Sequence, residues 1–224
     1  MTVKLLSDTH TATITDDDQV RIDEILSFWF MEREQNAPKI DARMDVWFGE
    51  NKEFDAEIAD RFSDDVDRAA AGDLDHWADD PKGRLALILL LDQFRRNIFR
   101  NTPDAFAGDE AALRFCVDGA RQKMDMTLPP VQRLFFYMPL QHAESAKVQA
   151  KSRQMYRRLA DSVSETEKET FDTTAHFADL HADIIDQFGR FPHRNRILGR
   201  DNTPEEEEYL QGDGPTFGQG DSGN

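Results

Sequence analysis

Residues 81–100 read PKGRLALILLLDQFRRNIFR. The first half is an almost unbroken apolar run, with Leu85, Leu87, Ile88, Leu89, Leu90 and Leu91. The second half sets Asp92, Gln93, Arg95, Arg96, Asn97 and Arg100 between Phe94, Ile98 and Phe99. Asp80 followed by Pro81 is an N-cap residue with proline at the first helical position, so a helix is predicted from Pro81 to Phe99. A helix apolar on nearly every side has to be enclosed by others. Its polar side chains then need partners, because burying them unpaired costs roughly 2–7 kcal/mol on a transfer scale. This stretch predicts both the core of the fold and the floor of any site.

Outward from it, apolar residues keep returning at helical steps. Val20, Ile22, Ile25, Leu26, Phe28, Trp29 and Phe30 form one such face. Residues 42–48 form a short segment ending at Gly49. Phe54, Ile58, Phe62, Val66 and Ala69 form another face, stopped at Gly72. Leu74 and Trp77 are expected to tuck a turn onto the core. On the far side, Asp109 reads as the cap of a helix carrying Leu113, Phe115, Val117 and Ala120. Pro129-Pro130 opens the next, which breaks near Pro139. A more polar helix spans 144–161. Ser164 and Glu167 have capping-box spacing ahead of a long helix with Phe171, Ala175, Phe177, Leu180, His181, Ile184 and Ile185 inward, ending at Gly189. A short helix over 204–210 is capped by Thr203. No run reads as a strand. The expectation is a single all-α domain over 18–211, about eight helices in antiparallel hairpins, with a flexible lead-in over 1–17 and a tail over 212–224.

With 39% apolar and 10% aromatic residues, the chain can build a sizeable core. A net charge of −17 with no basic stripe argues against nucleic acid and anionic membranes as partners. No apolar run reaches membrane-spanning length, and the first twenty residues lack a signal-peptide core. The lone Cys116 allows no internal disulfide and reads as a buried thiol. A cytoplasmic protein is expected.

Several segments together carry a likeness to a known family: ILSFWF, VWFGEN, FDAEI, PKGRLALILLLDQFRRNIFR, PDAFAGDEAAL, RLFFYMPLQHAES and DIIDQFGRFPHRNRILGRDNTPEEEEYL. In order and spacing, from Val20 to Phe217, they resemble the bacterial domain-of-unknown-function family numbered 924. The resemblance implies a tetratricopeptide-repeat-like, right-handed superhelical arrangement, and it implies no reaction. The letters show no clean 34-residue repeat. Arg95 stands where the family pattern suggests proline, and arginine there should let the helix continue.

The basic residues are unevenly spread. Residues 41–80 carry fourteen acids and four bases, whereas 81–100 carry Lys82, Arg84, Arg95, Arg96 and Arg100 against Asp92 alone. Residues 186–200 carry Arg190, Arg194, Arg196, Arg200 and His193 against Asp186. Guanidinium groups fork onto carboxylates and phosphates, so two basic segments in an acidic chain point to a cleft for a small anion. Internal pairing, as for Asp92 and Arg96 four apart on one helix, is the competing explanation.

The ligand-binding candidates are Arg84, Arg96, Arg100, Arg190, Arg194, His193 and Asn97, with Trp29, Trp47 and Tyr137 packing an apolar part. His142 or His181 are candidate proton carriers, oriented by Glu144 or Asp92. A metal at His142, Glu144 and His181 is the alternative use of those donors; no cofactor is otherwise implied. His10 and His76 are given no role. HExxH, CxxC, GxSxG and phosphate-loop motifs are absent. The leading expectation is a cleft that binds, and could transform, a small anionic, partly apolar ligand. The rival is an interaction module presenting a helical-hairpin groove to a peptide. Oligomeric state is not legible.

Overall fold

A computed structural model describes residues 13–31 and 40–212. The expectations for residues 1–12 (His10 among them) and for the 213–224 tail lie outside them. Every regular element among the described residues is helical. None of these helices is long and apolar enough to cross a membrane.

Helix α1 (Asp16–Phe30) begins two residues ahead of the expected domain start at 18. Thr15 accepts from Asp18 N–H while the Asp18 carboxylate accepts from Thr15 N–H, a reciprocal cap. After α2 (Ile40–Phe48), helix α3 (Lys52–Ala71) is capped by Asn51 and stops at Gly72, whose φ of 84° suits a residue without a side chain. A tight turn, Asp75–Asp79, carries Trp77 back to the core, its Nε1 donating to Asp18 at 2.9 Å. His76 is tied to the same carboxylate, 3.2 Å away, rather than lying idle on the surface.

The decisive stretch forms a rod in three parts. Asp80 caps α4 (Pro81–Ile88), accepting from Lys82 and Gly83 N–H. The chain then widens into a π-helical turn over Leu89–Phe94 before resuming as α5 (Arg95–Ile98). The expected plain α-helix is therefore interrupted, in a form that recurs at functional sites. Helices α1 and α3, with α6 (Asp109–Arg121) and α7 (Pro130–Phe136), close around it, so Leu85 through Leu91 are wholly buried. Arg95 continues the rod. Its Nε donates to Asp104 O and its guanidinium lies over the Phe99 ring, away from the cavity described below.

Tyr137 separates α7 from α8 (Met138–His142), with Pro139 at the start of the latter. Helices α9 (Ala146–Ala160) and α10 (Lys168–Phe188) form an antiparallel hairpin: Arg153 reaches Asp186, Arg157 reaches Asp172, and Lys168 reaches Ala160 O. Helix α11 (Pro204–Gln211) carries the Thr203 cap, completed by Glu206.

Three local expectations are corrected. Ser164 does not cap α10; its hydroxyl bonds the Glu167 carboxylate and the helix starts later, at Lys168. Gly108 occupies the N-cap of α6, and Asp109, one residue on, turns its carboxylate to arginines instead. The buried face of α6 is Ala112, Phe115, Cys116 and Gly119. Leu113, Val117 and Ala120 pack half-buried against the core, and Gly119 admits Arg84 and Phe136 so closely that a Cβ there would sit 2.5 Å from Arg84 Cδ.

Candidate functional site

The second half of the rod forms the floor of a cavity of about 820 Å3. Its walls come from α2, α8, α10 and the turn Pro192–Arg194. That volume lies within the range of about 300–1,000 Å3 usual for small-molecule sites. One side is apolar, with Met44, Trp47, Phe48, Met138 and Phe177. The α10 side carries hydroxyls, Thr166, Thr170, Thr173 and Thr174, with Glu169 among them. Arg96, Asn97, Arg100, His142, His181, His193 and Arg194 supply the polar part.

Asp92 organises the floor. It has no solvent exposure, and Oδ1 accepts from His142 Nδ1 at 2.7 Å and from Arg96 Nη1 at 2.9 Å, while Oδ2 accepts from Gln93. Burial raises the carboxyl's pKa, but the Arg96 and His142 side chains outweigh it and hold it below the usual range. Arg96 also grips Asp109 through both terminal nitrogens at 2.8 and 3.0 Å. Asp109 takes a further bond from Arg194 at 3.2 Å. Arg100 chelates Asp55, which also binds Asn97. Internal pairing thus accounts for Arg96 and Arg100.

Arg194 is different. It is buried, its guanidinium lies 4.7 and 4.5 Å from the ring centres of Phe106 and Phe191, and its Nε has no hydrogen-bond partner among the described residues. A buried donor without an acceptor costs about 1–3 kcal/mol. Burial pulls its pKa down to about 10 despite Asp109.

An ionised carboxylate only accepts, so His142 carries its proton on Nδ1 and presents Nε2 as the basic nitrogen. His181 likewise donates Nδ1 to Phe177 O at 2.8 Å. The two rings are 6.1 Å apart. Burial, helped by the Arg96 charge, lowers the pKa of His142; burial and His142 lower that of His181 well below the ordinary value. His193 is pushed down to about 3 by burial beside Arg194. All three are neutral at pH 7, the form in which an imidazole accepts a proton.

The structure brings together His142, His181, His193, Arg96, Arg100, Asn97, Arg194 and Trp47, with Asp92 beneath them. It does not bring in the other five candidates. Arg84 is buried between α4 and α6, donating to Ala78 O and Phe115 O. Arg190 chelates Glu206, part of the α11 cap. Glu144 is chelated by Arg200 and accepts from Phe191 N–H, so it orients no histidine. Trp29 is wholly in the core, and Tyr137 donates to buried Asp125. With Glu144 engaged elsewhere, the histidine–glutamate metal set is not assembled. No group of three or more His, Cys, Asp or Glu among the described residues is arranged to hold a metal.

Sequence reasoning missed Gln93, Phe106, Asp109, Gln141, Tyr156 and the threonine wall. It also placed Phe177 in the core, whereas the ring is 41% exposed against the cavity. A signal was present: Thr170, Thr173, Thr174, Phe177 and His181 recur at helical steps, a polar stripe beside the apolar one.

Fold and site together define an all-helical protein with a histidine- and arginine-floored cavity beside its central rod. The chain belongs to the family described as bacterial protein of unknown function DUF924, which matches residues 25–214. It is similar to a solved structure described as the protein of unknown function ATU0120 from Agrobacterium tumefaciens, at 36% identity and a TM-score of 0.73, covering 86% of this chain and 98% of that one. No curated protein matches the chain.

Proposed function

We propose that the protein binds a small, anionic, partly apolar molecule in this cavity, with His142 as its proton carrier. The observation that carries this reading is the contact between His142 Nδ1 and the buried Asp92 carboxylate. A carboxylate behind a neutral imidazole fixes the tautomer and stabilises the imidazolium formed when Nε2 takes a proton. His181 is close enough to shuttle a second proton. The reaction class this supports is general acid–base chemistry, with water or a substrate C–H or O–H as the proton donor. An interaction module would present an open groove; a recess of this size with a polar floor favours the small molecule.

The test is a native mass spectrum of freshly purified protein beside a denatured one, with ligand-observed NMR against small carboxylates and phosphates. A noncovalent mass of small-molecule size, or saturable NMR binding, is expected from the wild type and is expected to weaken in Thr170→Trp, which narrows the cavity. A bare mass with no saturable binding would overturn the reading.

A further inference from the structure

We propose that the anion this cavity takes is a single carboxylate on an apolar body, gripped by Arg194, and that phosphates and other dianions are discriminated against. The inference rests on the cavity being a small-molecule site and names its ligand class. Three observations lead to it.

First, the other arginines at the floor are committed to this chain's own carboxylates. Arg96 bonds Asp92 and both oxygens of Asp109, and Arg100 chelates Asp55 with Nε and Nη2. Arg194 has five N–H donors, and among the described residues one is engaged, at 3.2 Å, with an Asp109 oxygen already bonded to Arg96. Its Nε is buried with no acceptor among the described residues. The rings of Phe106 and Phe191 lie over the guanidinium and hold it in place. The terminal N–H groups left over in that plane, on a residue that lines the cavity, are the complement of a planar carboxylate.

Second, the buried charges already cancel. Arg96 and Arg194 face Asp92 and Asp109, one for one, and the neighbouring His142, His181 and His193 are neutral. A monoanion leaves one negative charge to be met, which one histidine can do by taking a proton. A dianion leaves two, with Asp45 and Glu169 in the cavity wall adding repulsion. Third, the wall made by Met44, Trp47, Phe48, Met138 and Phe177 offers the rest of the ligand no charged partner, which suits a hydrocarbon or aryl body.

The test is isothermal titration of the full chain at pH 7 with octanoate, octyl phosphate and 1-octanol, repeated on Arg194→Gln. Octanoate is expected to bind one to one, about tenfold or more tighter than the other two, and to lose that margin in Arg194→Gln while octanol is unaffected. Octyl phosphate binding as tightly as octanoate would overturn the carboxylate assignment and leave the small-anion reading standing. Octanol matching octanoate would overturn the role of Arg194. If none of the three binds the wild type, the small-molecule reading falls with it. Should Arg194→Gln fail to fold by circular dichroism, Arg194→Lys carries the test: it keeps the charge without the fork. A roughly tenfold weaker octanoate supports the proposal, and unchanged affinity overturns it.

Discussion

His142 Nδ1 lies 2.7 Å from the carboxylate of Asp92, a residue fifty positions earlier with no exposure to solvent. The bond ties α8 to the π-helical turn of the central rod, so the same contact that fixes the imidazole tautomer also fixes the floor of the cavity. Asp92→Asn removes one charge from a buried pair with Arg96, a class of change that costs about 3–5 kcal/mol. The amide can offer the ring either an oxygen or an N–H. The expected outcome is a urea midpoint lowered accordingly and a 15N spectrum in which His142 is no longer held as the Nδ1–H tautomer. An unchanged His142 spectrum would mean that Asp92 does not set the ring.

Arg96→Ala is expected to be a stability variant more than a binding one. It leaves Asp92 and Asp109 without their shared cation. The loss should be of the same order, about 3–5 kcal/mol by urea denaturation, far above the tenths expected of an exposed pair four residues apart. A loss under about 1 kcal/mol would mean that the network is solvated and weak.

The three buried histidines give the protein a pH dependence of definite sign. In the unfolded chain each titrates near its ordinary value of about 6.5; in the folded protein burial holds all three lower, His193 down to about 3. Between those values the unfolded state binds protons that the folded state does not. Stability is therefore full above about pH 6.5 and falls as pH drops, by about 1.4 kcal/mol per pH unit for each histidine that stays neutral. Asp92, Glu144 and Glu206, whose folded values are lowered, add to the loss below about pH 4. Melting temperatures from pH 8 to 5 should decline, with a shallower slope for His193→Asn. A flat profile would show that the rings are hydrated in the folded state.

What the letters made legible was local. Asp80 and Thr203 as caps, Gly72 and Gly189 as stops, and the apolar rod are each decided by residues within one or two helical turns. The ionisable residues of the floor were legible as kinds of chemistry on inward stripes. Their pairing was not. Which carboxylate meets which arginine depends on folding Asp55, Asp109 and Glu206 against partners 13 to 85 residues away. Phe177 misled because a stripe facing a cavity has the same period as one facing the core. The π turn was invisible for a similar reason: the same letters serve an i+4 or an i+5 ladder, and the turn's packing against α3 and α6 is not written in its own period.

Gly108 connects that turn to the charge network. A Cβ at this position would lie 2.2 Å from the carbonyl oxygen of Leu91, within the π turn, and 2.9 Å from Arg95 Cδ. The first of these is backbone and has no rotamer to adopt. The methyl would wedge the turn away from the start of α6, where Asp109 bridges Arg96 and Arg194. Gly108→Ala should therefore lose about 1–3 kcal/mol to overpacking and also weaken whatever Arg194 binds. Gly189→Ala is the control: its φ of 72° is strained for alanine, but nothing lies within 4 Å of the new methyl and the residue does not line the cavity. It should cost about 1–2 kcal/mol with ligand affinity intact. If urea denaturation and titration show the two variants to be alike in both respects, the close approach of Gly108 to the π turn does not position Asp109, and the network holds its geometry without it.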